Sequence, residues 1–77
     1  SLLGHDCSLS DFCYLANGCS IGAGVDLGEG AYIGSGAFIR ESVNVGSWGI
    51  VGMCSLVLND VAPSAQVYGV PARESQK

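Results

Sequence analysis

The sequence contains no Thr and one His, and its 77 residues include only three Lys or Arg against seven Asp or Glu. So few cations exclude a protein that binds nucleic acid mainly through its phosphates, because each phosphate contact needs a Lys or Arg. No apolar run approaches the ~20 residues of a membrane span, and no basic-then-apolar leader opens the chain. Since 48% of the residues are apolar, this length predicts one small domain with a packed core.

The four cysteines lack the spacing of a metal site. Cys7, Cys13 and Cys19 lie six residues apart and Cys54 stands alone, so the chain has no Cys-x-x-Cys pair. A single His cannot complete a zinc finger, and we expect no bound metal. Free cysteines are typically buried in proteins of a reducing compartment. The sequence therefore predicts buried, unpaired thiols in a cytoplasmic protein.

A period of six residues runs through most of the chain. Ten hexapeptides follow one another without a gap from Leu3 to Ala62, and the second residue is small in eight of them, with Arg40 and Leu58 as exceptions. Neither a helix of period 3.6 nor a plain alternating strand gives this pattern. The first residue is always aliphatic: Leu3, Leu9, Leu15, Ile21, Leu27, Ile33, Ile39, Val45, Val51 and Val57.

A short strand followed by a tight corner accounts for this repeat. The aliphatic residue points inward, and the small residue lies at the corner, where a large side chain would clash. Three hexapeptides make one triangular coil, so residues 18 apart should stack, as in the ladder Leu3, Ile21, Ile39 and Val57. The pattern predicts an all-β parallel solenoid of about three coils in residues 1–62, and we expect residues 63–77 to form a C-terminal cap.

The repeat resembles that of the hexapeptide-repeat acyltransferases, whose fold is the left-handed parallel β-helix. Residues 3–12, Leu-Gly-His-Asp-Cys-Ser-Leu-Ser-Asp-Phe, look like a stretch of the bacterial sugar O- and N-acetyltransferases of the sialic-acid and bacillosamine pathways. Residues 51–63 and the tail Val-Tyr-Gly-Val-Pro-Ala-Arg at 67–73 are similar to the final coil and tail of that family. The resemblance implies a left-handed β-helix that assembles as a homotrimer.

The motif around His5 suggests a catalytic base. An imidazole next to a carboxylate can accept a proton near neutral pH, but the spacing alone favours a surface histidine. The resemblance implies that His5 is the general base and that Asp6 orients it. It also places Tyr14 where the bacillosamine-type enzymes carry a second histidine. Ala23, 18 residues after His5, matches a residue whose backbone N–H holds the thioester oxygen, although it also fits a plain turn residue.

Two tail residues are further candidates. The resemblance implies that Gly69 and Arg73 border the groove for coenzyme A, with Arg73 meeting a phosphate. The alternative for Gly69 is a turn that folds the tail back as a cap. Arg40 is expected between chains, and three aromatic residues are expected at subunit or cap contacts: Phe12, Phe38 and Trp48.

The resemblance implies an enzyme that moves the acetyl group of acetyl-CoA to an amine or hydroxyl of a sugar, with a nucleotide-linked sugar as the acceptor. The alternative is a non-catalytic trimeric scaffold or a truncated remnant of such an enzyme, because fold does not fix function. The start at Ser1 favours a processed or excised chain, and we expect upstream sequence. One His cannot supply the ligands of a γ-class carbonic anhydrase, and the absence of Thr excludes an ice-binding face.

Overall fold

A computed structural model describes residues 2–74, and of Leu2 it describes only the backbone. Residues 75–77 of the expected cap lie outside the described residues. The described part contains twelve short strands and no helix. The strands are β1 Leu2–Leu3, β2 Ser8–Leu9, β3 Tyr14–Leu15, β4 Ser20–Ile21, β5 Asp26–Leu27, β6 Tyr32–Ile33, β7 Phe38–Ile39, β8 Asn44–Val45, β9 Ile50–Val51, β10 Leu56–Val57, β11 Gln66–Tyr68 and β12 Arg73–Glu74.

The strands form the three faces of a prism that measures 34 × 21 × 20 Å. The first face contains β1, β4, β7 and β10, the second β2, β5 and β8, and the third β3, β6, β9, β11 and β12. All pairs are parallel except β11 with β12. Leu3 pairs with Ile21 and Ile21 with Ile39, so residues 18 apart stack. This register confirms the predicted parallel β-helix of about three coils.

The aliphatic ladders form the core of the prism. The middle coils bury their first-position side chains completely, and Ile33 and Ile39 are 0% exposed. Burial of one such side chain stabilises the fold by roughly 1.5–3 kcal/mol. In the first coil, Leu3 is 50% and Leu9 45% exposed. The core is therefore strongest in the middle of the stack and weakest at β1 and β2.

The corners explain why the second position is small. A Cβ atom at Gly22 would lie 2.6 Å from the backbone N of Glu41, and one at Gly28 would lie 2.6 Å from the N of Ser47. Backbone of the next coil thus passes directly over each of these glycines, as the repeat predicts. The closest packing of the prism occurs at its corners.

The fourth position of each of the first nine hexapeptides has a left-handed backbone, which the sequence analysis missed. Gly18 has a φ of 76° and Gly24 a φ of 70°, but Phe12 and Trp48 adopt the same conformation, with φ of 66° and 62°. A bulky side chain in this region is a true outlier, and such residues cost of order 1–3 kcal/mol each. The indole of Trp48 lies against Gly30, where a Cβ would collide with the ring.

The tenth hexapeptide is two residues shorter than its sequence frame. Val61 bridges to Val45 and Val67 pairs with Val51, so the spacing falls from 18 to 16 residues. The reading of residues 57–62 as a full repeat was wrong, because Val61 opens the next repeat. Asp60 supports this shortened corner: its Oδ1 accepts a hydrogen bond of 2.9 Å from the backbone N–H of Asn44. A side-chain carboxylate thus accepts the N–H hydrogen bond that a backbone carbonyl would accept in a regular repeat.

None of the four cysteines, all of which lie within residues 2–74, forms a disulfide, and only part of their predicted burial holds. Cys19 is buried, whereas Cys7 and Cys13 are half-buried. Their thiols donate to carbonyl oxygens of the next coil, at 3.1 Å for Cys7 to Gly22 and 3.2 Å for Cys13 to Gly28. Cys54 is exposed, because it occupies a left-handed fourth position that faces outward.

Candidate functional site

The first corner of the prism joins the first face to the second and carries the predicted base. We define it as residues 4–7, 22–25, 40–43 and 58–60. His5 and Asp6 form its turn in the first coil, and Asp6 has a left-handed φ of 61°. Both side chains are exposed, as expected for outward-facing positions. Within residues 2–74 they form no hydrogen bond or ion pair with each other or with a neighbour, so both are open to an incoming ligand.

Ala23 occupies the same turn one coil above His5. The N–H of Gly24 donates a hydrogen bond of 2.7 Å to the carbonyl oxygen of His5, which ties the two turns together. The N–H of Ala23 makes no hydrogen bond with any described residue. It remains uncovered because position 4 is glycine: a Cβ there would lie 2.5 Å from the Ala23 N.

A free N–H at this position is a property of the repeat and not of Ala23 alone. The equivalent N–H groups of Glu29 and Ser47, at the second corner, also lack a hydrogen-bond partner among residues 2–74. What distinguishes Ala23 is the imidazole-bearing turn directly below it. The first corner can therefore offer a proton acceptor and a backbone donor to one ligand.

Tyr14 lies on the other side of the prism. It belongs to β3 on the third face, opposite the first corner, and stacks on Tyr32 with ring centroids 5.1 Å apart and planes inclined by 19°. Tyr14 is 56% exposed. A single chain therefore does not bring Tyr14 to His5, and these two side chains could act together only across two chains.

The two tail candidates also lie away from His5. Gly69 has a φ of 102° and is held at both backbone groups: its N–H donates to Ser55 Oγ at 3.1 Å, and its carbonyl accepts from Leu56 at 2.9 Å. It acts as the turn that folds the tail back. Arg73 is exposed on β12, four strands from Tyr14 along the third face, or roughly 19 Å at the usual strand spacing.

The first corner also carries a groove that the sequence analysis did not find. It has a volume of about 640 Å³ and is lined by Arg40, Glu41, Ser42, Val43, Leu58, Asn59 and Asp60. It opens where the tenth repeat is short. The signal in the sequence is the spacing of Val57, Val61 and Val67, which changes from six to four and back to six.

Among the described residues, His, Cys, Asp and Glu side chains nowhere gather in threes around a possible ion. Within residues 2–74 there is also no helix with the length and apolar character needed to cross a membrane.

Comparison with known proteins supports the hexapeptide-repeat fold. The chain resembles the perosamine N-acetyltransferase of Caulobacter crescentus, whose histidine-to-asparagine variant was crystallised with CoA and GDP-perosamine. The two are 34% identical, with a TM-score of 0.94, and the match covers 96% of this chain and 35% of that one. It resembles the acetyltransferase domain of PglB from Neisseria gonorrhoeae, bound to acetyl coenzyme A, with 31% identity and a TM-score of 0.90 over 92% of this chain and 35% of that one. WeeI from Acinetobacter baumannii is 32% identical, with a TM-score of 0.91 over 95% of this chain and 37% of that one. No protein-family model matches the chain, and no curated protein is significantly similar to it.

The fold and the repeat together define the class of this protein: it is a hexapeptide-repeat, left-handed parallel β-helix. Within that class its structural neighbours are sugar acetyltransferases, which confirms the resemblance drawn from the sequence. The chain spans about a third of the length of these neighbours, at 35–37%.

Proposed function

We propose that this protein takes part in acetyl transfer from acetyl-CoA to an amine or hydroxyl of a sugar, and that the acceptor is a nucleotide-linked amino sugar. The observation that carries the proposal is the first corner, where an exposed imidazole lies one coil below an uncovered backbone N–H. Support comes from neighbours above 30% identity that were crystallised with CoA and GDP-perosamine or with acetyl coenzyme A.

In this proposal His5 is the general base. Its imidazole accepts the proton of the acceptor amine or hydroxyl as that group attacks the thioester, and Asp6 stabilises the imidazolium. The N–H of Ala23 donates to the thioester oxygen as negative charge develops on it. No covalent intermediate on the protein is needed, so the four cysteines have no catalytic role. Acetyl-CoA supplies the activated acetyl group, and we propose no metal.

We propose a homotrimer, with residues 1–62 as the β-helix, residues 63–77 as its cap and the cytoplasm as its location. The position of Tyr14 opposite His5 supports assembly, because only a neighbouring chain can bring a Tyr14 hydroxyl to a His5 imidazole. In such an assembly Arg73 and Gly69 border the groove for coenzyme A. The other candidate function, a non-catalytic trimeric scaffold, is favoured by the absence of a contact between His5 and Asp6 among the described residues.

The decisive experiment is calorimetric titration of acetyl-CoA, with the oligomeric state measured by light scattering. Saturable binding near one site per chain, followed by CoA release when amino-sugar nucleotides are added, is the expected result. A trimer that binds no acetyl-CoA contradicts the acetyltransferase proposal and supports the scaffold. His5→Gln is the control, since it should bind acetyl-CoA as the unmodified protein does and release no CoA.

A further inference from the structure

The second corner, which joins the second face of the prism to the third, carries a tryptophan that its own chain holds in place. We define this corner as residues 10–13, 28–31, 46–49 and 62–65. Trp48 takes the left-handed fourth position in the third coil, with a φ of 62°, and its indole lies against Gly30 in the coil before. The side chain is still 56% exposed. The ring is therefore fixed by the fold and open to solvent at the same time.

Contact with a glycine of the coil before is shared by the fourth-position side chains of the third coil. Ser42 Oγ would lie 3.5 Å from a Cβ at Gly24, and Cys54 Sγ would lie 3.2 Å from one at Gly36. Because these small side chains satisfy the same contact, the fold does not require an indole at this place. An exposed Trp48 that the fold does not require indicates a recognition surface, where tryptophan is enriched.

Two carboxylates accompany the indole. Glu29 directly precedes the glycine against which the ring lies, and its carbonyl oxygen accepts a 2.7 Å hydrogen bond from the Trp48 N–H. Asp11 is the equivalent residue one coil away, at a strand spacing of about 4.8 Å. Both carboxylate side chains are exposed, and within residues 2–74 neither makes a hydrogen bond or an ion pair. The described arginines lie elsewhere, Arg40 at the first corner and Arg73 on β12.

An exposed indole beside two uncompensated carboxylates selects a cation. The quadrupole of the ring attracts positive charge to its face, and the carboxylates add Coulomb attraction. Both repel an anion, and a neutral ligand gains only the contact with the ring. A guanidinium is the best match, because it stacks flat on an aromatic ring and its donors pair with a carboxylate. The net charge of −4 also draws a basic partner toward the chain.

We propose that the second corner is a docking surface for an arginine-bearing segment of a basic protein partner. One guanidinium stacks on Trp48 and pairs with Glu29, and a second cationic side chain lies at Asp11. This interaction goes beyond the proposed acetyl transfer and uses none of its residues. Alternate side chains of an extended segment point the same way at intervals of about 6.6 Å, so the sequence Arg-x-Arg places two cations on the two carboxylates.

The first arm of the test uses the fluorescence of Trp48, which is the only tryptophan. The probe is the peptide acetyl-Gly-Arg-Gly-Arg-Gly-amide, and two matched peptides carry Lys or Gln in place of both Arg. We expect a saturable change in emission with the Arg peptide that weakens with added salt, weaker binding of the Lys peptide and no change with the Gln peptide. The absence of a saturable change with the Arg peptide overturns the proposal. Equal binding of the Lys or the Gln peptide also overturns it.

The second arm locates the contact with variants. Glu29→Gln should weaken binding of the Arg peptide about two- to fivefold, as expected for exposed contacts, whereas Glu41→Gln, the same change at the first corner, should not. Trp48→Gly removes the ring and leaves a residue that prefers the left-handed backbone, so it should fold and bind the peptide more weakly, as read from the NMR resonance of the Glu29 amide. If Glu29→Gln and Glu41→Gln weaken binding equally, net charge alone attracts the peptide and the proposal is overturned.

Two controls separate this surface from assembly and from acetyl transfer. Trp48 emission that changes with protein concentration and not with the peptide would assign the second corner to a neighbouring copy and overturn the proposal. Acetyl-CoA should not displace the peptide. If it does, the second corner belongs to the donor site, so the docking proposal fails and the acetyltransferase proposal stands. If the peptide binds and acetyl-CoA does not, the docking proposal stands and the acetyltransferase proposal fails.

Discussion

The N–H of Gly24 donates a 2.7 Å hydrogen bond to the carbonyl oxygen of His5. This bond fixes the backbone of the candidate base to the turn that carries the uncovered N–H of Ala23. The imidazole itself stays exposed and makes no hydrogen bond or ion pair with a described residue. The main chain therefore sets the position of His5. Its imidazole supplies the chemistry and can be substituted without loss of the turn.

Replacement of His5 by Ala should abolish acetyl transfer and leave donor binding intact. A general base contributes typically ~10²–10⁴-fold, so CoA release should fall by about that factor. Steady-state kinetics and acetyl-CoA titration measure the two effects separately. Asp6→Asn, which keeps a residue that tolerates the left-handed φ, should reduce turnover by a smaller factor. Unchanged turnover in His5→Ala would remove His5 from the mechanism.

Gly4→Ala should inhibit transfer beyond its effect on folding. Its Cβ would lie 2.5 Å from the Ala23 N and cover the N–H proposed to bind the thioester oxygen. The matched control is Gly28→Ala, where the Cβ would lie 2.6 Å from the Ser47 N at the second corner. Overpacking should destabilise both variants by about 1–3 kcal/mol in urea unfolding. Only Gly4→Ala should lose activity at a temperature where both are folded, and equal losses would contradict the role of Ala23.

Asp60→Ala should weaken the shortened corner. It removes the acceptor of the Asn44 N–H, and loss of one such hydrogen bond lowers the free energy of unfolding by about 0.5–1.5 kcal/mol. Asp60→Asn keeps an acceptor oxygen and should stay within a few tenths of a kcal/mol of the unmodified protein. Thermal unfolding of the three proteins in one buffer makes the comparison. An Asp60→Asn variant as unstable as Asp60→Ala would show that charge, and not the hydrogen bond, matters.

Gly30→Ala should displace the indole of Trp48. The new Cβ would collide with that ring, and the left-handed backbone, at φ of 72°, costs an L-residue roughly 1–2 kcal/mol. Trp48 is the only tryptophan, so its fluorescence emission should shift to longer wavelength in the folded variant. Gly18→Ala is the control, because it has φ of 76° but its nearest contact would be 3.8 Å away. It should lose similar stability with no change in emission.

Cys54 should be the first thiol to react in the folded protein. It is exposed, whereas Cys19 is buried, and access governs the rate at which a thiol is alkylated. Mass spectrometry after a short pulse of iodoacetamide should find the label at Cys54, and Cys54→Ser should remove it. Equal labelling of Cys19 would mean that the coils open on the timescale of the pulse.

Much of the fold could be predicted because its signal is local and repeated. The aliphatic first positions and small second positions follow from packing and from close approach at the corners, so the ladder from Leu3 to Val57 was predicted correctly. The left-handed fourth position was missed because only four of the repeats carry glycine there, and bulky residues such as Phe12 and Trp48 occupy it in others. The frame failed after Val57, where Leu58 already departs from the small second position but only the pairing of Val61 reveals the change of register.

The candidate site, like the fold, could be predicted only in part. His5, Asp6 and Ala23 were predicted from one motif and the resemblance that it carries. The structure stacks the Ala23 turn on the His5 turn, and the catalytic roles of these residues stay predictions. The proposed roles of Tyr14, Gly69 and Arg73 depend on the proposed assembly, which the periodicity of one chain does not encode. The groove at Glu41 depends on a register change, so no residue type in the sequence marks it.

The half-exposed Leu3 and Leu9 give the prism a gradient of stability along its axis. Within the described residues, the first coil pairs on one side only, so its amides should exchange with solvent ahead of those in the middle coils. His5 lies on this loosest coil, whereas Ala23 lies on the better buried coil next to it. A donor held by both residues would join the two coils, so its binding should protect the amides of the first coil more than any others.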